Sequence, residues 1–342
     1  MPLYHKNQHL VDSYNRRIDY LRVSLTEACN FRCVYCVPED GLPPSSPTQD
    51  HLTKDELVRF LSVASSLGIK HVRLTGGEPL LRADLVDIVV GLKTQAMVED
   101  LSITTNGSFL LPRLESLKKA GLDRVNISLD SMEAGRFREV TGVNAYDKVF
   151  ETVLAALQIG FPVKLNMVVL SGLRENEILK FVELAVHHPL EVRFLEFMPL
   201  CGKNWSPEKV MKMETVRQLV GKHYELESLP RLAGQVARSY RLVGGKGAVG
   251  YIGSLTESFC NDCSRLRLTA DGKIKPCLFS DLEVNVRKIL REGSSDQALA
   301  ESILLAVSIK PAGNNFLDDP FDNDPSRSYE FSGNPLIRNI GG

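Results

Sequence analysis

Between residues 21 and 197, short apolar and β-branched runs alternate with single stretches of helical periodicity. This alternation constrains the fold more than any other feature of the chain. The runs fall at 21–25, 71–75, 101–105, 124–129, 163–170 and 191–197. Helical spacing fills 52–67, 82–94, 113–120, 146–158 and 175–186. The first helical stretch opens on Thr53 with Glu56 three residues on, a capping box, and stops at Gly68. Gly121 and Gly160 close two others, and Pro189 follows the last. Strands separated by one helix each are joined by crossovers, so the pattern predicts βαβ units and a parallel sheet. Six such units in about 200 residues predict an α/β fold with an incomplete TIM-like (β/α)6 barrel, since the full eight-strand version takes about 250.

Beyond about residue 201 the alternation stops. A helix-like segment at 206–220 is followed by a Gly-rich stretch, a group of cysteines, a helical region at 282–305 and a tail rich in Pro, Asn, Asp and Gly. We expect residues 1–200 to form the partial barrel and 201–342 a C-terminal extension packed on it. At 342 residues and 43% hydrophobic content the chain can bury a large core. Its 41 basic and 42 acidic side chains nearly cancel, leaving no global attraction to nucleic acid or to an anionic membrane. No apolar run approaches the ~18 residues of a membrane span. The first eight residues lack the apolar core of a signal peptide. The expectation is a cytoplasmic enzyme that touches neither membrane nor nucleic acid.

Six of the seven cysteines carry the chemistry. Cys29, Cys33 and Cys36 follow the first strand with the spacing C-x3-C-x2-C. Cys260, Cys263 and Cys277 read C-x2-C-x13-C, and Cys201 stands alone as an ordinary small residue after a strand. Each triplet offers three thiolates and no fourth ligand. A 4Fe-4S cluster normally takes four cysteines, so three leave one iron open to chelate a substrate or cofactor. Zinc ribbons share the C-x2-C element, but structural zinc wants four protein ligands, and no histidine lies within 20 residues of the second triplet. Disulfides fit poorly with a cytoplasmic setting.

Four of the six strands carry a basic residue at their second or third position: Arg22, Arg73, Lys164 and Arg193. Parallel strands covered on both faces normally read as unbroken Val, Ile and Leu. Four cations in one barrel point instead to an interior that holds a polyanion such as a nucleoside triphosphate. At the strand ends where barrels place their chemistry sit Gly76-Gly77-Glu78-Pro79, Thr105-Asn106-Gly107, Ser128-Leu129-Asp130 and Glu196-Phe197-Met198-Pro199. The glycine pair lets backbone approach a small ligand closely. Gly244-Gly245-Lys246-Gly247 lacks the spacing of a P-loop and reads as a turn.

The first triplet, with Tyr35 before its last cysteine, resembles the signature of the radical S-adenosylmethionine (SAM) superfamily. Together with Arg73 through Pro79, Thr104 to Gly107, Asn126 to Asp130, Arg193 to Met198, the run from Ser258 to Leu278 and the terminal Gly341-Gly342, it resembles the GTP 3′,8-cyclase family of molybdenum-cofactor biosynthesis. The second triplet beside Arg265-Leu266-Arg267 discriminates most, because the first is shared across the superfamily. The tail from Asn334, and the stretch after Lys310 that lacks a histidine, depart from the family pattern.

The resemblance implies two 4Fe-4S clusters and SAM as cofactors. Cys29, Cys33 and Cys36 would hold the cluster that cleaves SAM, with Tyr35, Gly77, Glu78, Ser128 and Met198 at SAM. Cys260, Cys263 and Cys277 would hold a second cluster that binds the guanine of GTP. Arg22, Arg73, Thr104, Lys164, Arg193, Arg265, Leu266 and Arg267 would contact GTP. The deoxyadenosyl radical would take the ribose 3′ hydrogen, and the resulting radical would add to C8 of guanine. The radical would be generated on SAM, and the resemblance assigns no catalytic side chain. The implied partners are an electron donor of flavodoxin or ferredoxin type and the cyclic pyranopterin monophosphate synthase, with the enzyme a monomer or homodimer. Two other readings stay open: a peptide-modifying radical SAM maturase, and a non-catalytic zinc or iron–sulfur protein.

Overall fold

A computed structural model describes residues 9–37, 48–200, 205–231 and 234–313. Cys201 and the tail from Asn334 to Gly342 lie outside the described residues.

The chain opens with a small hairpin, β1 (Leu10–Val11) and β2 (Arg17–Ile18). Five strand–helix steps and a sixth strand follow: β3 (Tyr20–Ser24), α1 (Lys54–Ser66), β4 (His71–Thr75), α2 (Leu85–Thr94), β5 (Asp100–Thr105), α3 (Leu114–Lys119), β6 (Arg124–Ser128), α4 (Ala134–Thr141), α5 (Tyr146–Gln158), β7 (Val163–Val169), α6 (Glu175–His187) and β8 (Leu190–Glu196). The extension adds α7 (Met213–His223), β9 (Leu226–Ser228), β10 (Arg238–Leu242), β11 (Ala248–Ile252), β12 (Arg265–Leu268), β13 (Lys273–Lys275), β14 (Val284–Asn285), α8 (Arg287–Arg291) and α9 (Asp296–Ser308).

The six expected strands lie side by side in chain order and parallel. The sheet does not stop there. The extension lays β12 parallel to β3 on one flank and β11 parallel to β8 on the other, and antiparallel strands continue outward from both. Among the described residues twelve strands form one sheet, eight of them parallel.

Sequence periodicity accounts for the layers. In β7 Val163, Leu165, Met167 and Val169 are buried against the helices, while Lys164, Asn166 and Val168 face the other way. β8 repeats this with Leu190, Val192 and Phe194 in the core and Glu191, Arg193 and Leu195 opposite. In α1 the capping box forms as expected: Thr53 Oγ1 accepts from the Glu56 amide at 3.2 Å and Glu56 Oε2 from the Thr53 amide at 2.7 Å. Such a cap contributes about 1 kcal/mol. The helix buries Leu57, Phe60, Leu61 and Ala64 on one face, Phe60 alone contributing about 2–3 kcal/mol.

Some expectations shift. α2 starts at Leu85 rather than 82, because Arg82 is drawn into a bidentate pair with Asp84 and a bond to the Leu52 carbonyl. The helical region at 282–305 breaks into α8 and α9 at Gly293, whose φ of 69° ends a helix, and its first residues pair as β14. α4 has no clear sequence signal, because Gly135, Arg136 and Arg138 dilute its apolar face.

Candidate active site

All six triplet cysteines line one cavity of about 270 Å³ on the side of the sheet away from the helices. Residues of β3 to β8 line it too, as do Ile252 of β11 and Arg265 and Arg267 of β12.

The first triplet sits on the loop after β3. Its approach is set by Gly76 and Gly77 at the end of β4. The Gly77 amide donates to the Thr26 carbonyl and the Glu78 amide to the Ala28 carbonyl, each at 2.8 Å. A Cβ at Gly76 would stand 2.3 Å from the Thr26 carbonyl oxygen, and one at Gly77 2.2 Å from that of Ala28. Only glycine permits this backbone contact, and Gly76 also has φ of +133°. Glu78 then welds the next loop in place, accepting from Thr105 Oγ1 at 2.7 Å, the Asn106 amide at 2.8 Å and the Leu80 amide at 3.0 Å. Burial raises its carboxyl to about 7. Asn106 Nδ2 reaches Asn30 Oδ1 at 2.9 Å and Cys29 Sγ at 4.0 Å. Tyr35 Oη donates to Asp130 Oδ2 at 2.7 Å, and burial lifts the Asp130 carboxyl to about 6.

The second triplet brackets the β12–β13 hairpin. Cys260 and Cys263 form a turn before β12, the Cys263 amide donating to the Cys260 carbonyl at 3.1 Å, and Cys277 follows β13. Arg265 stacks its guanidinium 4.7 Å from the Phe259 ring centre and donates Nη2 to Cys263 Sγ at 3.6 Å. Burial opposes ionisation of Cys263, yet Arg265 and Lys310 bring its thiol down to about 6. Cys33 is the reverse case, its thiol held well above the ordinary value by burial and by Asp130.

A row of cations lines the same cavity. Arg267, Arg22 and Arg73 occupy one register across β12, β3 and β4. Burial, then Arg267 and Arg73, push the Arg22 guanidinium well below its ordinary value. Arg267 falls to about 10 through burial and Arg265, and stays charged at neutral pH. Among the described residues the Nε atoms of Arg73, Arg193 and Arg265 and Oγ1 of Thr104 are buried and meet no hydrogen-bond partner. Among the described residues the cavity wall carries six cations (Arg22, Arg73, Arg193, Arg265, Arg267 and Lys310) against two carboxylates (Asp130 and Glu196). Glu196 is engaged by the amides of Met213, Leu255 and Thr256, at 2.8 to 3.1 Å.

Of the residues expected at SAM, Tyr35, Gly77, Ser128 and Met198 line the cavity, whereas Glu78 is turned into the loops it braces. Of those expected at GTP, Arg22, Arg73, Thr104, Arg193, Arg265 and Arg267 line it. Lys164 is not on the wall and pairs instead with Glu191 at 2.7 Å. Leu266 lies in the apolar core at 1% exposure, pointing to the opposite face from its two arginine neighbours. Asp130 and Glu196 join the site as polar groups that sequence reasoning did not assign, though their places at strand C-terminal ends were a signal. Lys310 and Arg16 had none, Lys310 lying 34 and 45 residues and Arg16 244 residues from the carbonyls they meet at the second triplet.

The donor sets fit iron–sulfur chemistry. Thiolates are soft ligands suited to such clusters, and one of these thiols is already pulled toward the ionised form. Among the described residues no three His, Cys, Asp or Glu side chains are placed around a single ion. A cubane spreads its cysteines over different irons and needs no such convergence.

Two family models cover most of the chain: the radical SAM superfamily matches residues 23–185 and the molybdenum cofactor synthesis C region matches 190–316. A GTP 3′,8-cyclase of Heliobacterium modesticaldum is 43% identical over 334 residues, covering 95% of this chain and all of that one. A GTP 3′,8-cyclase of Thermodesulfovibrio yellowstonii is 40% identical and covers 88% of this chain and 94% of that one. Molybdenum cofactor biosynthesis protein 1 of Bos taurus is 42% identical over 88% of this chain, which spans about half (48%) of that longer protein. Among solved structures, Streptococcus suis SuiB bound to S-adenosylmethionine superposes with a TM-score of 0.58 at 16% identity, covering 85% of this chain and 69% of that one. The anSMEcpe structure with bound AdoMet gives 0.57 at 15% identity over 85% and 84%. These two show the shared fold. With sequence, sheet and family models in agreement, the chain belongs to the GTP 3′,8-cyclase family of radical SAM enzymes.

Proposed function

We infer that this chain converts GTP to 3′,8-cyclised GTP, the first step of molybdenum-cofactor biosynthesis. One observation carries the reading: the arginine row Arg267–Arg22–Arg73 lies in the same cavity as both cysteine triplets. Like charges directly opposite in a sheet are unfavourable, and buried ones more so. A triphosphate with about four negative charges relieves that repulsion through charge-assisted, bidentate contacts. Arg193, Arg265 and Thr104 present further donors to it.

We assign Cys29, Cys33 and Cys36 to the SAM-side 4Fe-4S cluster and Cys260, Cys263 and Cys277 to a second. When bound, the first cluster and SAM supply the radical, and the second supplies an open iron for the guanine. The chain does the rest. Backbone at Gly76–Gly77 and the Tyr35–Asp130 pair shape the SAM side, together with Ser128 and Met198. Phe31, Phe197 and Leu200 exclude water there, which a reactive radical requires. The arginines hold the nucleotide so that its ribose faces that side. Glu78 acts through the loops it braces, and Lys164 through Glu191, which it shares with Arg193.

The same reading takes the sheet as an incomplete barrel. β12 and β11 stand seven strand spacings apart, which in a flat sheet is about 34 Å. Residues of both line one small cavity, so we read the parallel strands as curling around it. We take residues 1–200 as the SAM unit and 201–342 as the unit for the second cluster and nucleotide. A flavodoxin- or ferredoxin-type donor, the downstream synthase and a cytoplasmic setting belong to the same proposal. No helix among the described residues is long and apolar enough to cross a membrane.

A peptide-modifying maturase would share the fold but has no use for a buried arginine row. Anaerobic incubation with SAM, dithionite and either GTP, ATP or no nucleotide separates the readings. Formation of 5′-deoxyadenosine that GTP raises above the nucleotide-free rate, together with a cyclised nucleotide, is expected. Deoxyadenosine formation indifferent to nucleotide, with GTP recovered unchanged, contradicts the assignment.

A further inference from the structure

The second triplet is divided between two limbs, Cys260 and Cys263 before β12 and Cys277 after β13. The ladder between those strands pairs Arg267 with Lys275 and Leu268 with Ile274, and ends short of the cysteines. What bridges the limbs beyond it comes from the far end of the described chain. Lys310, 3% exposed, donates Nζ to the Arg265 carbonyl at 2.8 Å and to the Pro276 carbonyl at 2.6 Å. The first carbonyl lies two residues past Cys263, and the second immediately precedes Cys277. Two carbonyl oxygens sharing one ammonium are confined within about twice a hydrogen-bond length, roughly 5–6 Å.

A second buried cation locks the remaining cysteine. Arg16, 6% exposed, donates Nη1 to the carbonyls of Cys260 at 2.9 Å and Ala312 at 2.7 Å, and Nη2 to that of Pro311 at 2.6 Å. Its Nε donates to Asp12 Oδ2 at 2.6 Å. A Cβ on Gly313 would lie 3.8 Å from the Cβ of Cys260, so this segment packs directly against the cysteine. The β1–β2 hairpin, residues 310–313 and all three parts of the triplet thus meet on two side chains. Burying a lysine and an arginine against backbone carbonyls is costly unless every donor is used.

We propose that Lys310 and Arg16 form a two-cation latch that holds the limbs of the second triplet at cluster-binding separation before any cluster is present. Both are positioning residues. The proposal rests on the reading of Cys260, Cys263 and Cys277 as a cluster site. It places the hairpin and the 310–313 segment, remote in sequence, in charge of a site neither contributes a ligand to.

The test uses the full chain as wild type, Lys310→Met, Lys310→Arg and Arg16→Met, loaded anaerobically with iron and sulfide. Iron per chain is counted, the paramagnetic signal of the reduced protein is recorded, and SAM cleavage without nucleotide reports on the first triplet alone. The wild type should hold about eight irons and the two Met variants about four, with SAM cleavage retained. Lys310→Arg, which keeps the cation, should regain most of the missing iron. In the apoproteins, hydrogen exchange of the Met variants should quicken across 260–277 and stay unchanged across 71–105. Eight irons and an unaltered signal in both Met variants overturn the latch while leaving the cluster reading intact. Equal loss at both sites, or unchanged exchange at 260–277, overturns it as well. Four irons in the wild type defeat the cluster reading and the latch with it.

Discussion

Arg22 of β3 and Arg267 of β12 sit directly opposite each other in parallel register, although they come from opposite ends of the chain. Arg73 extends the row one strand further. Backbone pairing brings these guanidiniums together in a buried wall where side-chain repulsion alone would drive them apart. Under the proposed function an anionic substrate relieves this repulsion.

Replacing Arg267 with Met should therefore weaken GTP binding and steady the empty protein at once. Removing one buried charge-assisted hydrogen bond costs about 2–3 kcal/mol, or tens-fold in dissociation constant. Relief of repulsion should raise the apoprotein's stability by about 1 kcal/mol. Anaerobic calorimetry with GTP and with SAM, and urea unfolding of the apoprotein, read the two effects. SAM affinity should change little. Undiminished GTP affinity would remove Arg267 from the site.

Gly77→Ala should abolish the SAM side while sparing the rest. The new Cβ would meet the Ala28 carbonyl at 2.2 Å, which backbone cannot yield without shifting the segment that carries Cys29. We expect iron content to fall by about half and nucleotide-free SAM cleavage to vanish, with GTP binding retained. A fully active Gly77→Ala variant would show that the close approach is not needed.

The two triplets should separate cleanly by mutation. Cys33→Ala should end SAM cleavage and leave the second cluster's iron in place. Cys277→Ala should leave SAM cleavage running and stop cyclisation of GTP. Deoxyadenosine formation surviving in the Cys33 variant would sink the assignment of Cys29, Cys33 and Cys36.

Glu191 gives the fold an acid-sensitive brace. Burial opposes its ionisation, but Arg193 at 3.0 Å and Lys164 at 2.7 Å lower its carboxyl from 4.5 to about 2. A carboxyl depressed on folding contributes stability above its unfolded value, and that stability fades as pH falls from about 4.5 toward 2. The lowering alone corresponds to about 3 kcal/mol, and burial of Lys164, which depresses its own ammonium, takes back part of it. Apoprotein unfolding should thus show Glu191→Gln less stable than wild type by about 2 kcal/mol at pH 6, the two converging near pH 3. A gap that stays constant with pH would mean the loss is one of packing.

The parallel core was legible in the chain because period-2 burial and single-helix crossovers are local properties. Thr53 with Glu56, and Gly68 past the end of α1, are read from neighbours in sequence and hold in the structure. So are the cysteine spacings, and so is the alternation that puts Arg22, Arg73 and Arg193 on the face away from the helices. Leu266 is expected at GTP with its arginine neighbours, yet a strand sends successive side chains to opposite faces, and it belongs to the core.

Other features are set by pairing at long range. The chain's own order cannot say that β12 would flank β3 and β11 would flank β8, because parallel neighbours need not be consecutive. That choice alone aligns Arg267 with Arg22 and brings two triplets more than two hundred residues apart to one cavity. Residue types and spacings determined what chemistry the chain could offer. Where charges oppose, which carboxylate each cation meets and which segment braces which ligand were decided by the tertiary structure, since those energies exist only once distant backbones are paired.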